Sequence, residues 1–347
     1  MKKSLAVIGV LLFFVLVACS DSLEENENKE ASFQKVVEEL QSPWDIEYSE
    51  STFYITEREG SIVSWDGENK LRMNVDTSKP VLQQGEGGLL GMKLHPDFKS
   101  NHQAVIYHTY ADGEQIKNRV VLVEKQEETW VEKEILIENI PGARFHNGGR
   151  IELGPDQSLY ITTGDALDEE LAQDKSSLAG KVLRVNLDGS PPEDNPMQGS
   201  YIYSYGHRNP QGLAWAEDGT LYASEHGPDA HDEINVIRKG ENYGWPLIKG
   251  NEKGPELNTP YYHTGKTTWA PSGISVHNGK LYVAALRGES VKSISLNNKN
   301  IEIVTDNFGR VRDVEVVNDI LYFITNNTDG RGAPESSDDV LVKFNQK

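Results

Sequence analysis

The chain has 347 residues, 25% of them charged and 37% hydrophobic, with a formal net charge of −20. An excess of acid on that scale excludes nucleic acid as a partner, because phosphate backbones are held by clustered Lys and Arg. The single cysteine, Cys19, excludes an intramolecular disulfide. Core burial must carry the fold, with a bound metal as the other staple open to it.

Met1-Lys2-Lys3 and the apolar run Leu5 to Val17 have the charge and length of a secretory signal. The run is too short and wrongly flanked for a spanning helix. It ends Leu16-Val17-Ala18-Cys19, which resembles a bacterial lipobox. That pattern implies cleavage of residues 1–18, a lipid on Cys19 and an extracytoplasmic protein anchored to the cell membrane. An ordinary signal peptide with an incidental cysteine is the plainer alternative. Cleavage removes two lysines and takes the net charge from −20 to −22. Residues 19–32 are polar, acidic and without aromatics, the composition of a flexible tether.

Residues 33–347 carry a repeat. Short strand-like pieces hold an apolar-Tyr pair: Phe53-Tyr54, Ile106-Tyr107, Leu159-Tyr160, Leu221-Tyr222, Leu281-Tyr282 and Leu321-Tyr322. Turn signals such as Pro155-Asp156, Asp218-Gly219 and Asn278-Gly279 precede several of them. The spacing of roughly 40–60 residues is that of propeller blades. The expected fold is all-β, a six-bladed β-propeller of four-stranded antiparallel blades, with short protected edges. A β-sandwich explains the alternation but not so long a repeat. Phe33 to Leu40 can be read as a turn or two of helix, but Val36-Val37 and Pro43-Trp44 suit an opening strand.

Loop clusters join the repeat strands. Gly85 to Gly91 (GEGGLLG) is a tight turn or a place of close backbone approach, with Glu86 its one charge. His146 sits in a Gly-rich loop between Arg144 and Arg150. Nearby positive charge would keep it neutral, as a general base must be, although a lone histidine is more often structural. Tyr205 to Pro246 is the densest stretch. Its GHRNPQG offers Arg208, Asn209 and Gln211 on a bent backbone, suited to a flat anionic or oxygen-rich group. Its EHGPDAHDE offers carboxylates and a Gly227-Pro228 turn, the oxygen set a hard cation prefers. Asn242 to Pro246, Thr267 to Ser272, Ala285 to Gly288 and Gly309 to Asp313 complete the clusters. By the period of two, Arg310 and Arg312 share one strand face, so something anionic is expected between them. Arg208, Arg287, Arg310 and Arg312 on the loops of so acidic a chain argue for a small polyanionic ligand beside a metal.

These strings, in this order, resemble the soluble pyrroloquinoline quinone (PQQ)-dependent glucose/sorbosone dehydrogenases, most closely the aldose sugar dehydrogenase branch. The likeness covers about residues 34–345 and rests on HNGGR…LGPD, GHRNPQG, SEHGPDAHDEIN and NYGWP. It implies a six-bladed propeller that oxidises the anomeric carbon of an aldose to a lactone. Hydride passes to PQQ, and the electrons then pass to a respiratory-chain or artificial acceptor. By position, the resemblance makes His146 the catalytic base and gives the backbone carbonyls of Gly227 and Pro228 to the Ca2+ that holds the quinone. Arg208 polarises the quinone, and Arg208, Asn209, Thr268, Arg287, Arg310 and Arg312 contact it. Asp232 falls beside the network supporting the base. Glu86 and Phe145 stand where the glucose enzyme has glutamine and aspartate, at the border of the sugar pocket, with Glu86 grouped among the cofactor-side residues. Arg287 stands in place of a lysine, and no string matches a second, structural calcium site. Two other classes stay open: a lactonase-like calcium-bearing propeller, and a non-enzymatic propeller that binds sugars.

Overall fold

The computed structural model describes residues 32–345. The expected signal segment, Cys19 and nearly all of the expected tether therefore lie outside the described residues. β1 (Ser32–Val37) is followed by β2 (Pro43–Ser49), β3 (Thr52–Glu57), β4 (Ser61–Trp65) and β5 (Lys70–Asp76). Next come β6 (Leu89–Leu94), β7 (Gln103–Asp112), β8 (Gln115–Lys125) and β9 (Thr129–Pro141). The run β10 (Ile151–Leu153), β11 (Leu159–Thr163), β12 (Lys181–Val185) and β13 (Ile202–Tyr205) follows. After it come β14 (Pro210–Trp215), β15 (Leu221–Glu225), β16 (Glu233–Ile237) and β17 (Tyr262–His263). The last strands are β18 (Pro271–His277), β19 (Lys280–Ala285), β20 (Ser290–Ser295), β21 (Ile301–Thr305), β22 (Val311–Val317), β23 (Ile320–Thr325) and β24 (Leu341–Asn345). Among the described residues the only helical pieces are Phe98–Asn101 and a 3₁₀ turn, Glu169–Ala172. Phe33 to Leu40 opens as a strand.

The strands pair into four four-stranded sheets and one of eight strands. The expectation of six separate antiparallel sheets needs that correction. Within the large sheet, β2–β5 and β6–β9 are each antiparallel, but edge strand β5 pairs with β9 in parallel, Asn74 opposite Thr129. β1 completes the sheet β22–β24, Phe33 opposite Phe344, so the beginning of the described chain is tied to its end.

The apolar-Tyr pairs explain how the sheets stack. All six lie on β3, β7, β11, β15, β19 and β23, the second strand of each four-strand run. Neighbouring strand residues point to opposite faces. Phe53 therefore packs with Tyr322 and Ile324 of the sheet before it, while Tyr54 packs with Leu89 and Met92 of the run after it. Each repeat tyrosine falls in a different one of six apolar clusters, each cluster lying between two consecutive runs. The first strands of the runs touch in a closed cycle: β2 to β6, β10, β14, β18, β22 and back to β2.

The two ends of the sheets differ. Several hairpins at one end are tight, with both central residues at positive φ: Glu50-Ser51, Asn278-Gly279 and Asn318-Asp319. The loops at the other end lead into β6, β10, β14, β18 and β22, or leave β11, β15, β19 and β23. They are longer, and they carry the chemistry-bearing residues.

Candidate active site

Those long loops enclose a cavity of about 480 Å³. Glu86, His146, Arg208, Asn209, Gly227, Pro228, Asp232, Thr268, Arg287 and Arg310 all line it. Residues drawn from seven loops therefore meet at one opening.

His146 holds a left-handed backbone, φ 60°, in the loop before β10. Its Nδ1 lies 2.7 Å from Asp165 Oδ1, and the other Asp165 oxygen accepts Trp245 Nε1 at 2.9 Å. A buried carboxylate on Nδ1 fixes the proton there and leaves Nε2 as the acceptor nitrogen. The flanking arginines do not act as expected. Arg150 turns inward to Asp45 and to Asp313, the latter at 3.1 Å, and Arg144 lies over the Phe145 ring. The charge that touches the imidazole is negative.

Arg208 stacks over Trp245 at 5.3 Å and donates Nη1 to the His226 carbonyl at 3.2 Å. Its backbone N–H is held by Glu225, whose other oxygen meets His207 Nδ1 at 2.9 Å. Burial pulls the Arg208 guanidinium below its ordinary value, against the attraction of Asp165, Glu225 and Glu86. Asn209 is fully buried, and its Oδ1 accepts Gly148 N–H at 3.1 Å. Arg208 Nε, Asn209 Nδ2 and Arg310 Nε are buried donors without a partner among the described residues. Orphaned donors on a cavity wall are costly unless a ligand meets them. A flat ligand bearing carboxylates and carbonyl oxygens fits that donor set.

The turn after β15 supplies the opposite polarity. The carbonyls of Gly227 and Pro228 accept no hydrogen bond among the described residues. Gly227 is required by close approach, since a Cβ there would stand 2.0 Å from the Ala230 carbonyl oxygen. No group of three or more His, Cys, Asp or Glu among the described residues is arranged to hold a metal ion. A hard cation here would instead be held by main-chain oxygens and by its ligand. Asp232 does not bond the imidazole. It ties the turn to the next loop, accepting Gly227 N–H at 3.0 Å, Trp269 N–H at 2.6 Å, Ala270 N–H at 2.9 Å and Thr268 Oγ1 at 3.2 Å.

Arg312 also departs from expectation. It is not on the cavity wall but buried, bonded to Asn326 Oδ1 at 2.9 Å, Gln211 Oε1 at 2.8 Å and Ser272 Oγ at 3.3 Å. The register of β22 shifts between Val311 and Asp313, so the period of two that put Arg310 and Arg312 on one face breaks there. Burial, reinforced by the charge of Arg58, draws the Arg312 guanidinium down to about 9. The anion expected near these arginines is supplied in part by the chain itself, as Asp329, 2.8 Å from Arg310 Nη2. Glu86 lines the cavity but bonds none of the orphaned donors. It meets Arg331 Nη1 at 2.8 Å and the His146 backbone N–H at 3.4 Å.

Sequence reasoning missed Asp165, Arg331, Asp329 and His226. TTGDALD and NNTDGRG carry a turn's composition and no spacing that ties them to His146 or Arg310. Burial lowers the His226 imidazole to about 4, against the pull of Asp232 and Glu86, so it is neutral near pH 7.

Fold and cavity together define a propeller-type all-β protein with a polar cavity at the long-loop end. The Glucose / Sorbosone dehydrogenase family model matches residues 40–337, and the chain belongs to that family. The PQQ-bound aldose sugar dehydrogenase of Streptomyces coelicolor is similar in structure, with a TM-score of 0.84 and 36% identity over 91% of this chain and 98% of that one. The aldose sugar dehydrogenase YliI of Escherichia coli is 29% identical over 92% of this chain and 96% of its own length. The quinoprotein glucose dehydrogenase B of Acinetobacter calcoaceticus is 39% identical over 196 residues, 48% of this chain and 41% of that protein.

Proposed function

We propose that the chain is a PQQ-dependent aldose dehydrogenase on a six-bladed propeller of four-stranded blades. It oxidises the anomeric CH–OH of a sugar to the lactone and passes electrons to an external acceptor. We place it outside the cytoplasm, tethered to the membrane by a lipid on Cys19.

One observation carries the reading. A carboxylate-backed imidazole lines the same cavity as Arg208, Asn209 and Arg310, which carry three orphaned donors, and as Gly227 and Pro228, whose carbonyls accept no hydrogen bond among the described residues. His146 Nε2 takes the proton of the anomeric hydroxyl. Asp165 keeps Nδ1 protonated and stabilises the imidazolium that forms. Arg208, Asn209 and Arg310, each with an unpartnered buried donor, would hold the oxygens of the cofactor, with Thr268 and Arg287 lining the same cavity. The Gly227 and Pro228 carbonyls would hold Ca2+. PQQ, when bound there, supplies the hydride acceptor, and the cation polarises it.

The test is lactone formation from an aldose, followed by NMR with a redox dye as acceptor. Turnover should require both PQQ and Ca2+ and be lost in His146→Ala. Turnover that ignores either addition would overturn the proposal. Lactone hydrolysis in place of lactone formation would favour the lactonase-like alternative.

A further inference from the structure

Glu86 lies in the loop between β5 and β6, and Arg331 in the loop between β23 and β24. The two meet across the cavity mouth, Oε1 to Nη1, at 2.8 Å. The second Glu86 oxygen lies 3.4 Å from the His146 backbone nitrogen. The Arg331 guanidinium also covers the Phe145 ring at 5.4 Å, with Arg144 over the same ring at 5.5 Å. Glu86, His146 and Arg331 all line the cavity. An acid and a base of opposite charge thus stand on the wall beside the proposed proton acceptor.

The Glu86 carboxyl is ionised. Burial works to raise the Glu86 carboxyl, but His226, which is charged only in acid, together with Arg331 and Arg312 outweighs it and holds the group down to about 2. Neither partner is used up by the other. A carboxylate has about four lone-pair directions and a guanidinium five N–H donors. The side chains keep 18% and 46% of their exposure. Acceptor and donor capacity therefore lie side by side and face the opening. Vicinal hydroxyls, each both donor and acceptor, match that pattern.

We propose that Glu86 and Arg331 form a charge-selecting wall of the substrate subsite, which binds the hydroxyls of an uncharged aldose and disfavours sugars that carry a charge. This deepens the aldose reading and rests on it. The selectivity follows from the pairing. A uronate at the wall meets Glu86 as well as Arg331, and an amino sugar meets Arg331 as well as Glu86, so neither gains the net attraction that an unpaired charge would give it while each pays for its own desolvation. Removing one partner leaves the other charge unmatched beside the base. Arg331→Ala exposes a carboxylate that attracts a cationic sugar. Glu86→Gln releases Arg331, with Arg144 nearby, to attract an anionic one. Arg331 is a specificity residue here, not a catalytic one.

Glucose, glucosamine and glucuronate are compared on the wild type, Arg331→Ala, Arg331→Lys and Glu86→Gln, at a pH where the amine is charged. Two readouts are taken: kcat/KM with PQQ and Ca2+, and equilibrium sugar binding by saturation-transfer NMR. Arg331→Ala should raise glucosamine relative to glucose by roughly tenfold, the scale of a hydrogen bond to a charged group. Glu86→Gln should raise glucuronate relative to glucose by a similar factor, and Arg331→Lys should keep the wild-type order. Equal losses for all three sugars would overturn the proposal and reduce the pair to a tie between loops. Unshifted binding ratios would overturn it as well. Shifted binding ratios without turnover in the wild type would sink the dehydrogenase reading and leave the charge selection supported.

Discussion

His146 Nδ1 and Asp165 Oδ1 stand 2.7 Å apart although 19 positions separate them in the chain. The antiparallel pair β10–β11 makes this possible. Ile151 faces Ile161, so the residue run before β10 and the run after β11 return to the same end of the sheet. The same carboxylate accepts the Leu167 backbone N–H at 2.9 Å and the Trp245 indole N–H at 2.9 Å, which leaves the imidazole one orientation.

Asp165→Asn should therefore damage catalysis without touching cofactor binding. An amide in that place can hold the wrong tautomer and cannot stabilise an imidazolium. The expected loss in kcat is about 10²–10⁴-fold, the worth of a positioned general base. Steady-state kinetics beside a PQQ titration check this. A quinone affinity that falls together with kcat would make Asp165 a scaffold residue.

Gly227→Ala should separate binding from folding. The added Cβ would lie 2.0 Å from the Ala230 carbonyl oxygen and 2.6 Å from the His231 one, so the turn must move. Ca2+-dependent quinone affinity should drop by at least roughly tenfold, the effect expected for a lost hard-cation ligand geometry. The melting curve should stay cooperative. An unchanged affinity would remove the Gly227 and Pro228 carbonyls from the cation site.

Arg310→Ala should weaken PQQ by about 1.5–3 kcal/mol, the range for a hydrogen bond to a charged group. The single change also strands Asp329, which sits 2.8 Å from the guanidinium. The double variant Arg310→Ala/Asp329→Asn separates the two effects by isothermal titration. If the double variant regains full affinity, the guanidinium serves only to neutralise Asp329.

The parts of the molecule that follow a local period were legible in the sequence. Phe53-Tyr54 and its five counterparts mark the second strand of each run because adjacent strand residues must face two different sheets. Gly-rich strings such as GHRNPQG and EHGPDAHDE were legible because close approach leaves little choice of residue. What was hidden depends on contacts between distant loops. Asp165 and Arg331 lie in ordinary turn sequences, and only the ring brings them to His146 and Glu86. Arg312 was misplaced because a bulge in β22 breaks the alternation. The parallel β5–β9 pair was hidden because two edge strands meet there without any turn to announce it.

The buried carboxyls should make stability depend on pH in a definite direction. Glu233 is raised to about 8 by burial, with the charge of Glu225 adding to it. Below its ordinary value of 4.5 the group is protonated in folded and unfolded chains alike. Between there and about 8 the folded chain keeps a proton that the unfolded chain has released. Its contribution to stability is thus present in acid and lost as pH rises through about 8. Glu233→Gln fixes the protonated shape, and Gly250 N–H and Asn235 are its present partners. Relative to the wild type, the variant should gain stability steadily from pH 4.5 to pH 8 in urea unfolding. A pH-independent difference would show that Glu233 titrates normally.

Calorimetric titration of PQQ into the purified protein, in Ca2+ and again in a chelator, reaches the central claim most directly. The account predicts one quinone per chain, bound tightly with Ca2+ and far more weakly without it. His146→Ala should bind the same quinone normally while failing to oxidise an aldose. Equal affinity in Ca2+ and chelator, or full aldose oxidation by His146→Ala, would contradict it.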